Sequence, residues 1–282
     1  MGSAGSVGRN TKAGQMKPSL FVIKIGGNVI DDEKKLAVFL KDFAAIEGLK
    51  ILVHGGGKLA TRVATALGIE QQMVEGRRIT DAETLKVVTM VYAGYINKNI
   101  VAALQAFDCN AIGLSGADGN AVLAHKRGAN SGVGKAGIDY GFAGDVDAVN
   151  ASLLQQLLNQ GYSVVLAPIT HDAKGQLLNT NADTIASTTA VSLAQHFNVR
   201  LIYCFEKKGV LENVDDDHSV IPEINQTNYQ QLKNDGKLFA GILPKIDNAF
   251  AAIDAGVKEV LIGHADDLLQ NTGSKMAGTL MK

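Results

Sequence analysis

LFVIKIGG, residues Leu20–Gly27, decides the fold of this 282-residue chain. Five of its first six residues are apolar, with β-branched and aromatic side chains prominent, and Gly26-Gly27 ends the run, so it reads as a buried strand. A second such run, Lys50–Val53, leads into His54-Gly55-Gly56-Gly57. Working outward, helical periodicity fills Asp32–Ile46, Lys58–Leu67 and Asp81–Phe107. In the last of these Leu85, Val88, Tyr92, Ile96, Ile100, Leu104 and Phe107 recur at three- and four-residue steps, with Asp81 suited to cap the start. Such a helix needs a partner surface.

Further buried strands are expected at Ala111–Leu114, Val164–Ile169, Val199–Phe205 and Glu259–Ile262. They alternate with helical stretches at Ala148–Asn159, Ala182–Phe197 and Lys245–Ala255. This alternation implies an α/β fold with a mainly parallel sheet and helices on both faces. Two stretches break the rhythm and read as β-hairpin excursions, Asn120–Asp145 and Asp172–Asn179, the second turning at Gly175. Residues 1–16 are small, polar and aperiodic, and are expected to be a disordered tail or a leader foreign to the protein. The remainder divides near residue 195 into an N-terminal lobe, 17–195, and a C-terminal lobe, 196–282.

Composition narrows the function. Apolar residues make up 46% and charged residues 20%, the mixture of a folded globular chain. A formal charge of −1 argues against a nucleic-acid surface. No stretch approaches 18 uninterrupted apolar residues and no short apolar leader opens the chain, so neither membrane insertion nor export is expected and the location should be cytoplasmic. Cys109 and Cys204 lie far apart in apolar surroundings, as reduced core cysteines would.

In an open parallel sheet ligands bind beyond the carboxyl ends of the strands, and the telling residues sit there. Lys24 lies one step from a strand end inside an apolar run, where an unpaired ammonium is costly to bury. Either it lies on an edge strand, solvated, or it faces a ligand; Gly26 and Gly27 beside it allow close backbone approach and favour an anion. Gly55-Gly56-Gly57 offers a second cradle, although a lone glycine triplet is more often a flexible turn. It is not the G-x-G-x-x-G fingerprint, and the chain has no G-x-x-x-x-G-K-[ST]. Asn179, Asn181 and Asp183 follow the second hairpin; Asn181 or Asp183 could simply cap a helix. Lys245, after Pro244, would alone read as a solvated first-turn lysine.

Taken together LFVIKIGGNVI, ILVHGGGK, EGRRITDAE, NTNADTIA and GILPKID, in this order and at these separations, resemble the N-acetylglutamate kinases of the amino acid kinase family. The resemblance extends from about Lys17 to Lys282. It implies a three-layer αβα sandwich and a homodimer whose interface uses the helix Asp81–Phe107. The N-terminal lobe would bind the acyl amino acid and the C-terminal lobe ATP. It implies that Lys24 and Lys245 contact phosphates, that Asp183 organises both lysines, and that Gly56 and Gly57 offer N–H groups to the transferred phosphoryl. Arg78 and Asn179, with Asn181 beside them, would hold the N-acyl-L-glutamate; Gly26, Gly27, Glu206 and Gly209 would border the nucleotide. Mg2+ would arrive on ATP, with no metal ligands from the protein. The chemistry agrees: a glutamate side chain with pKa about 4.3 is already an anionic nucleophile at neutral pH, so lysines and glycines are needed and a general base is not. His54 is then an orienter or core residue.

Two departures from the family pattern matter. Arg77 stands where the family usually has Leu, so the acyl group is either acetyl, with Arg77 in solvent, or succinyl, with Arg77 on the additional carboxylate. Cys204-Phe205-Glu206-Lys207-Lys208-Gly209 replaces a Thr/Ser-Asp-Val-x-Gly pattern, keeping an acid and a glycine. The polar tail lacks the amphipathic helix of arginine-inhibited members, so a dimer insensitive to arginine is expected. Aspartokinases, glutamate 5-kinases, carbamate kinases and UMP kinases do not pair GRRITDAE with NTNAD. A catalytically silent homologue would not need Lys24, Asp183 and Lys245 together, and an NAD-dependent enzyme would need the fingerprint at a glycine-rich strand end.

Overall fold

The computed structural model describes residues 17–74, 77–129, 137–213, 215–238 and 242–282. The expectation for residues 1–16 lies outside them, as does the tip of the first hairpin, 130–136. The strands of the main sheet and the elements between them follow in chain order. The first half comprises β1 (Ser19–Ile25), α1 (Gly27–Ile30), α2 (Glu33–Ala45), β2 (Leu49–His54), α3 (Gly57–Ala66), β3 (Gln72–Val74), β4 (Arg77–Ile79), α4 (Ala82–Thr89), α5 (Asn97–Gln105) and β5 (Ala111–Leu114). Then come β6 (Val122–Lys126), β7 (Ala143–Val149), α6 (Ala151–Asn159), β8 (Ser163–Leu166), β9 (Ile169–His171), β10 (Leu177–Thr180) and α7 (Ala182–Leu193). The last part holds β11 (Asn198–Phe205), β12 (Glu223–Ile224), α8 (Gln226–Asn234), α9 (Leu243–Asp254), β13 (Glu259–His264), α10 (Leu268–Thr272) and β14 (Thr279–Met281).

Among the described residues the main sheet has eight strands in the order β12-β14-β13-β11-β1-β2-β8-β5. From β13 to β5 every neighbour is parallel, and β14 joins β13 antiparallel. Alternation along β1 explains the three layers. Leu20 and Val22 face one apolar cluster with Leu193, Ile246 and Ala249 of α7 and α9; Ile23 and Ile25 face another with Phe43, Ala60 and Ile100 of α2, α3 and α5. Both faces of β1 are thus covered, and the edge-strand reading of Lys24 falls away. The sheet runs unbroken across residue 195, because β11 pairs along the whole of β1.

The two excursions form hairpins as expected: β6 with β7 and β9 with β10, the second turning at Gly175 with φ 96°. All four strands join into a small closed sheet, and Ala143, Asn179 and Thr180 of it border the same cavity as the glycine turn after β2. The letters of the dinucleotide fingerprint do occur at Gly132–Gly137, but between β6 and β7 and not between a sheet strand and a helix.

Several expectations need correction. Residues Ala148 and Val149 extend β7, so α6 starts at Ala151 behind an Asn150 cap. The stretch Val164–Ile169 is two strands, β8 and β9, interrupted around Pro168. The helix expected over Asp81–Phe107 ends at Gln105, and Phe107 is exposed. Its middle, Met90–Ile96, is a π turn, which rotates the stripe so that Val91, Tyr92 and Ile96 stay buried. That stripe is satisfied within the chain, in the same cluster as Ile23 and Leu52. What remains outward is Met90 and Tyr95, about 60% exposed. The path Ala82–Gln105 has the length and hydropathy, 1.2 on average, of a membrane-crossing helix; burial of its stripe against the sheet is the pattern of a core helix.

Candidate active site

β1 sends Lys24 to the same face as Leu20 and Val22, level with Tyr203 of β11 and Val53 of β2. Its residue is 8% exposed, so its ammonium needs a partner, and Asp183 supplies one at 2.7 Å. Asp183 is placed by the start of α7: Asn181 Oδ1 accepts the N–H groups of Asp183 (2.8 Å) and Thr184 (3.2 Å). A cap of this kind is worth about 1 kcal/mol. The capping reading of Asn181 is therefore correct for its oxygen, while its side chain still borders the cavity below.

Lys245 comes from the first turn of α9, whose start is fixed by Pro244. Its ammonium lies 3.6 Å from the centre of the Phe205 ring, and that of Lys24 lies 5.5 Å from the same centre. Phe205 is thus a shared aromatic floor, worth about 1–2 kcal/mol of attraction per desolvated cation. Burial pushes the Lys245 pKa down, Asp183 pulls it up, and Lys24 pushes it down again.

The two lysines border one cavity, and a second adjoins it. The larger, about 600 Å3, is bordered by Lys24, Gly26, Gly27, Glu206, Gly209 and Lys245, with Leu211, Ile242 and Ile262 giving it an apolar wall. The smaller, about 220 Å3, is bordered by Gly56, Gly57, Arg77, Arg78, Asn179 and Asn181. Gly57 borders both. The candidate site residues thus fall into two groups that share Gly57, and Asp183 links them through its contacts with Lys24 of the first and Asn181 of the second. Arg78 is fixed from several sides: Nη1 donates to Gln71 Oε1, and Nη2 donates to Gly57 O (3.0 Å) and Thr61 Oγ1 (2.9 Å). Asn179 Nδ2 donates to Thr80 Oγ1 at 3.0 Å. At Gly56 φ is 142°, and a Cβ there would overlap Ile96 Cδ1, so only glycine fits where the turn passes beneath the π segment.

His54 is fully buried and behind the turn. Asn97 Nδ2 lies 3.3 Å from its Nε2, and its Nδ1 lies 2.8 Å from Gly55 O. Because the Asn97 amide donates, Nε2 accepts and the proton sits on Nδ1, pointing at the Gly55 carbonyl. The ring therefore orients the glycine turn. Burial lowers its pKa to about 4. An unfolded histidine takes a proton near pH 6.5 and the folded one does not, so this neutral ring's contribution is complete above pH 6.5 and is lost between about 6.5 and 4. The loss is expected to reach about 3 kcal/mol. Urea midpoints from pH 7.5 to 4.5 check this: the His54→Asn variant should show a shallower acid limb than the parent, and equal slopes would refute it.

Some lining residues carry weak sequence signals. Arg127, bordering the smaller cavity, is buried and held by Asp145 through Nη2 (2.6 Å) and Nε (3.0 Å); it sits in an irregular hairpin end. Tyr92 was legible as core and also borders the cavity, through the rotation of the π turn. Phe205 stood inside a departing motif, where an aromatic gave no hint of two cations above it.

The amino acid kinase family model matches residues 19–264, which include every one of these positions. The chain belongs to the amino acid kinase family. An acetylglutamate kinase of Cytophaga hutchinsonii is 57% identical over 89% of this chain and 93% of its own length. One from Bacteroides thetaiotaomicron is 54% identical over 93% and 99%. Among solved structures, the N-acetylglutamate synthase of Neisseria gonorrhoeae, complexed with coenzyme A and N-acetyl-glutamate, superposes with a TM-score of 0.78 at 23% identity. It aligns with 94% of this chain, which spans only 59% of the synthase, and it shows the shared amino acid kinase fold.

Proposed function

We propose that the chain is an N-acetyl-L-glutamate kinase, transferring the γ-phosphoryl group of ATP to the side-chain carboxylate of N-acetyl-L-glutamate in arginine biosynthesis. The observation that carries this reading is the Lys24–Asp183–Lys245 cluster, whose two lysines border the larger cavity, which in turn shares Gly57 with the smaller one. In this reading ATP occupies the larger cavity, with Gly26, Gly27, Glu206 and Gly209 at its border. The acyl-glutamate occupies the smaller one, between Arg78, Asn179 and Asn181, with Gly56 and Gly57 N–H groups toward the phosphoryl. A carboxylate oxygen attacks the γ-phosphorus in line, the bond to the β–γ bridging oxygen breaks, and ADP leaves with that electron pair. Two unit charges 4 Å apart repel by about 4 kcal/mol at an effective dielectric of about 20. Lys24 and Lys245 offset repulsion of that size, and Asp183 counters the repulsion between the two ammonium groups. In this reading Mg2+ enters on the nucleotide phosphates and adds charge neutralisation there.

The lobes follow the same division: acyl-glutamate contacts all precede residue 195, and ATP contacts come from both sides of it. The assembly we read as a homodimer in the cytoplasm, with exposed Met90 and Tyr95 on the π turn supporting contact between copies.

One observation favours a second acyl group. Arg77 is half-buried and borders both the smaller cavity and a third one of about 410 Å3, alongside Arg127. A succinyl chain would bring a carboxylate to it. Steady-state kinetics decide: acetyl-glutamate should be the better substrate with Arg77→Leu changing its kcat/KM by less than about threefold, whereas a preference for succinyl-glutamate lost in Arg77→Leu would establish the second reading.

A further inference from the structure

Most helices that start from a loop open on a side-chain cap: Asp32 for α2, Asp81 for α4, Asn150 for α6, Asn181 for α7 and Asn225 for α8. α3 and α9 do not. Neither has an acidic residue in its first turn, and each carries a lysine there instead, Lys58 and Lys245. A cation in the first turn opposes the helix dipole and leaves the free N–H groups without an acceptor, so both features disfavour the isolated helix. Both are suited to an anion.

The fold brings these two ends to one place. α3 packs on the sheet face lined by Ile23 and Ile25, α9 on the face lined by Leu20 and Val22, and Lys24 lies in the strand between. Lys58, Lys24 and Lys245 all border the larger cavity. Lys58 is exposed, and its Nζ donates to Asn28 Oδ1, on α1 just after the Gly26-Gly27 turn. That contact carries the ammonium across the mouth between the two glycine turns. Its residue neighbour Gly57 is the one that borders both cavities.

We propose that Lys58 is a third phosphate-binding catalytic residue, holding the terminal phosphate of the nucleotide from the α3 face while Lys24 and Lys245 hold it from the strand and the α9 face. Asn28 is its positioning residue. The inference rests on the kinase reading above and adds a contact that the Lys24–Asp183–Lys245 cluster does not include.

The test uses the full chain with Lys58→Met and Lys58→Arg. Calorimetric binding of ADP and of an ATP analogue with a non-hydrolysable β–γ bridge needs no acyl substrate. For Lys58→Met the analogue should bind about tenfold more weakly while ADP affinity changes less than about threefold. In turnover, kcat should fall about 100-fold with the KM for acyl-glutamate held, and Lys58→Arg should recover most of the loss. Equal weakening of ADP and the analogue would mean that Lys58 only shapes the turn, and unchanged binding and kcat would mean that it only decorates the surface; either overturns the proposal. If the parent binds the analogue but never phosphorylates an acyl-glutamate, the kinase assignment fails, and the ADP-versus-analogue contrast still decides Lys58.

Discussion

Lys24→Met is expected to lower kcat by about 10³-fold while leaving the protein folded, with a melting temperature within a few degrees of the parent. The asymmetry of the Lys24–Asp183 pair gives the reason. Lys24 is the buried member, its side chain 10% exposed, whereas the Asp183 side chain is 36% exposed and can be hydrated when its partner goes. Methionine fills a similar volume within an apolar strand, and exchanging a buried charge for an apolar group of that size is often neutral for stability. The transferred phosphoryl group, by contrast, loses the one cation fixed by the central strand. Thermal melts and steady-state turnover on the same preparation check both halves. A variant that unfolds, or one that keeps kcat within about tenfold, would contradict this account.

Asp183→Asn should behave differently, because it leaves the buried ammonium without its counter-charge. Stability is expected to fall by about 1–3 kcal/mol, less than the roughly 3–5 kcal/mol usual for a broken buried pair because Asp183 is partly solvated. Asp183 also raises the Lys245 pKa against burial and against Lys24. Its removal therefore lowers that pKa further. Lys245 is charged below its pKa, so a lower value means charge lost earlier as pH rises, and the alkaline limb of kcat should move to lower pH. At neutral pH kcat should fall about 100-fold. A pH–rate profile of parent and variant from pH 6 to 10 checks this; an alkaline limb that stays in place, or moves upward, would show that Asp183 does not hold the lysine charged.

How much of this was legible in the sequence depended on range. β1 and β2 could be read because each is a short apolar run closed by glycine, and their parallel order follows from the helices between them. Lys24 illustrates what local reading lacks. By itself it fitted an edge strand equally well, and only pairing of β1 on both sides, with β11 and β2, settles it as interior. Asn181 was open between cap and ligand residue, and its oxygen turns out to cap α7. The long helix was legible as a stripe but not as a π turn, because seven residues of altered pitch still place apolar side chains inward. The antiparallel strand β14, three residues long, and the hairpin β3–β4 that carries Arg77 and Arg78 were too short to show a period. Phe205 and Arg127 were hidden for another reason. Phe205 meets Lys245 and Lys24, 40 and 181 positions away, and Arg127 meets Asp145, 18 positions away on the paired strand β7; nothing in their own neighbourhood announces these contacts.

The central claim is that a carboxylate in the smaller cavity receives the phosphoryl group held between Lys24 and Lys245. Its product is an acyl phosphate, which hydroxylamine converts to a hydroxamate, whereas phosphate released by water gives none. The direct measurement is hydroxamate formed per ADP released, with N-acetyl-L-glutamate present and absent. The predicted result is a ratio near one with the acyl amino acid and little ADP or hydroxamate without it. ADP release that is the same in both cases, with no hydroxamate, would contradict it.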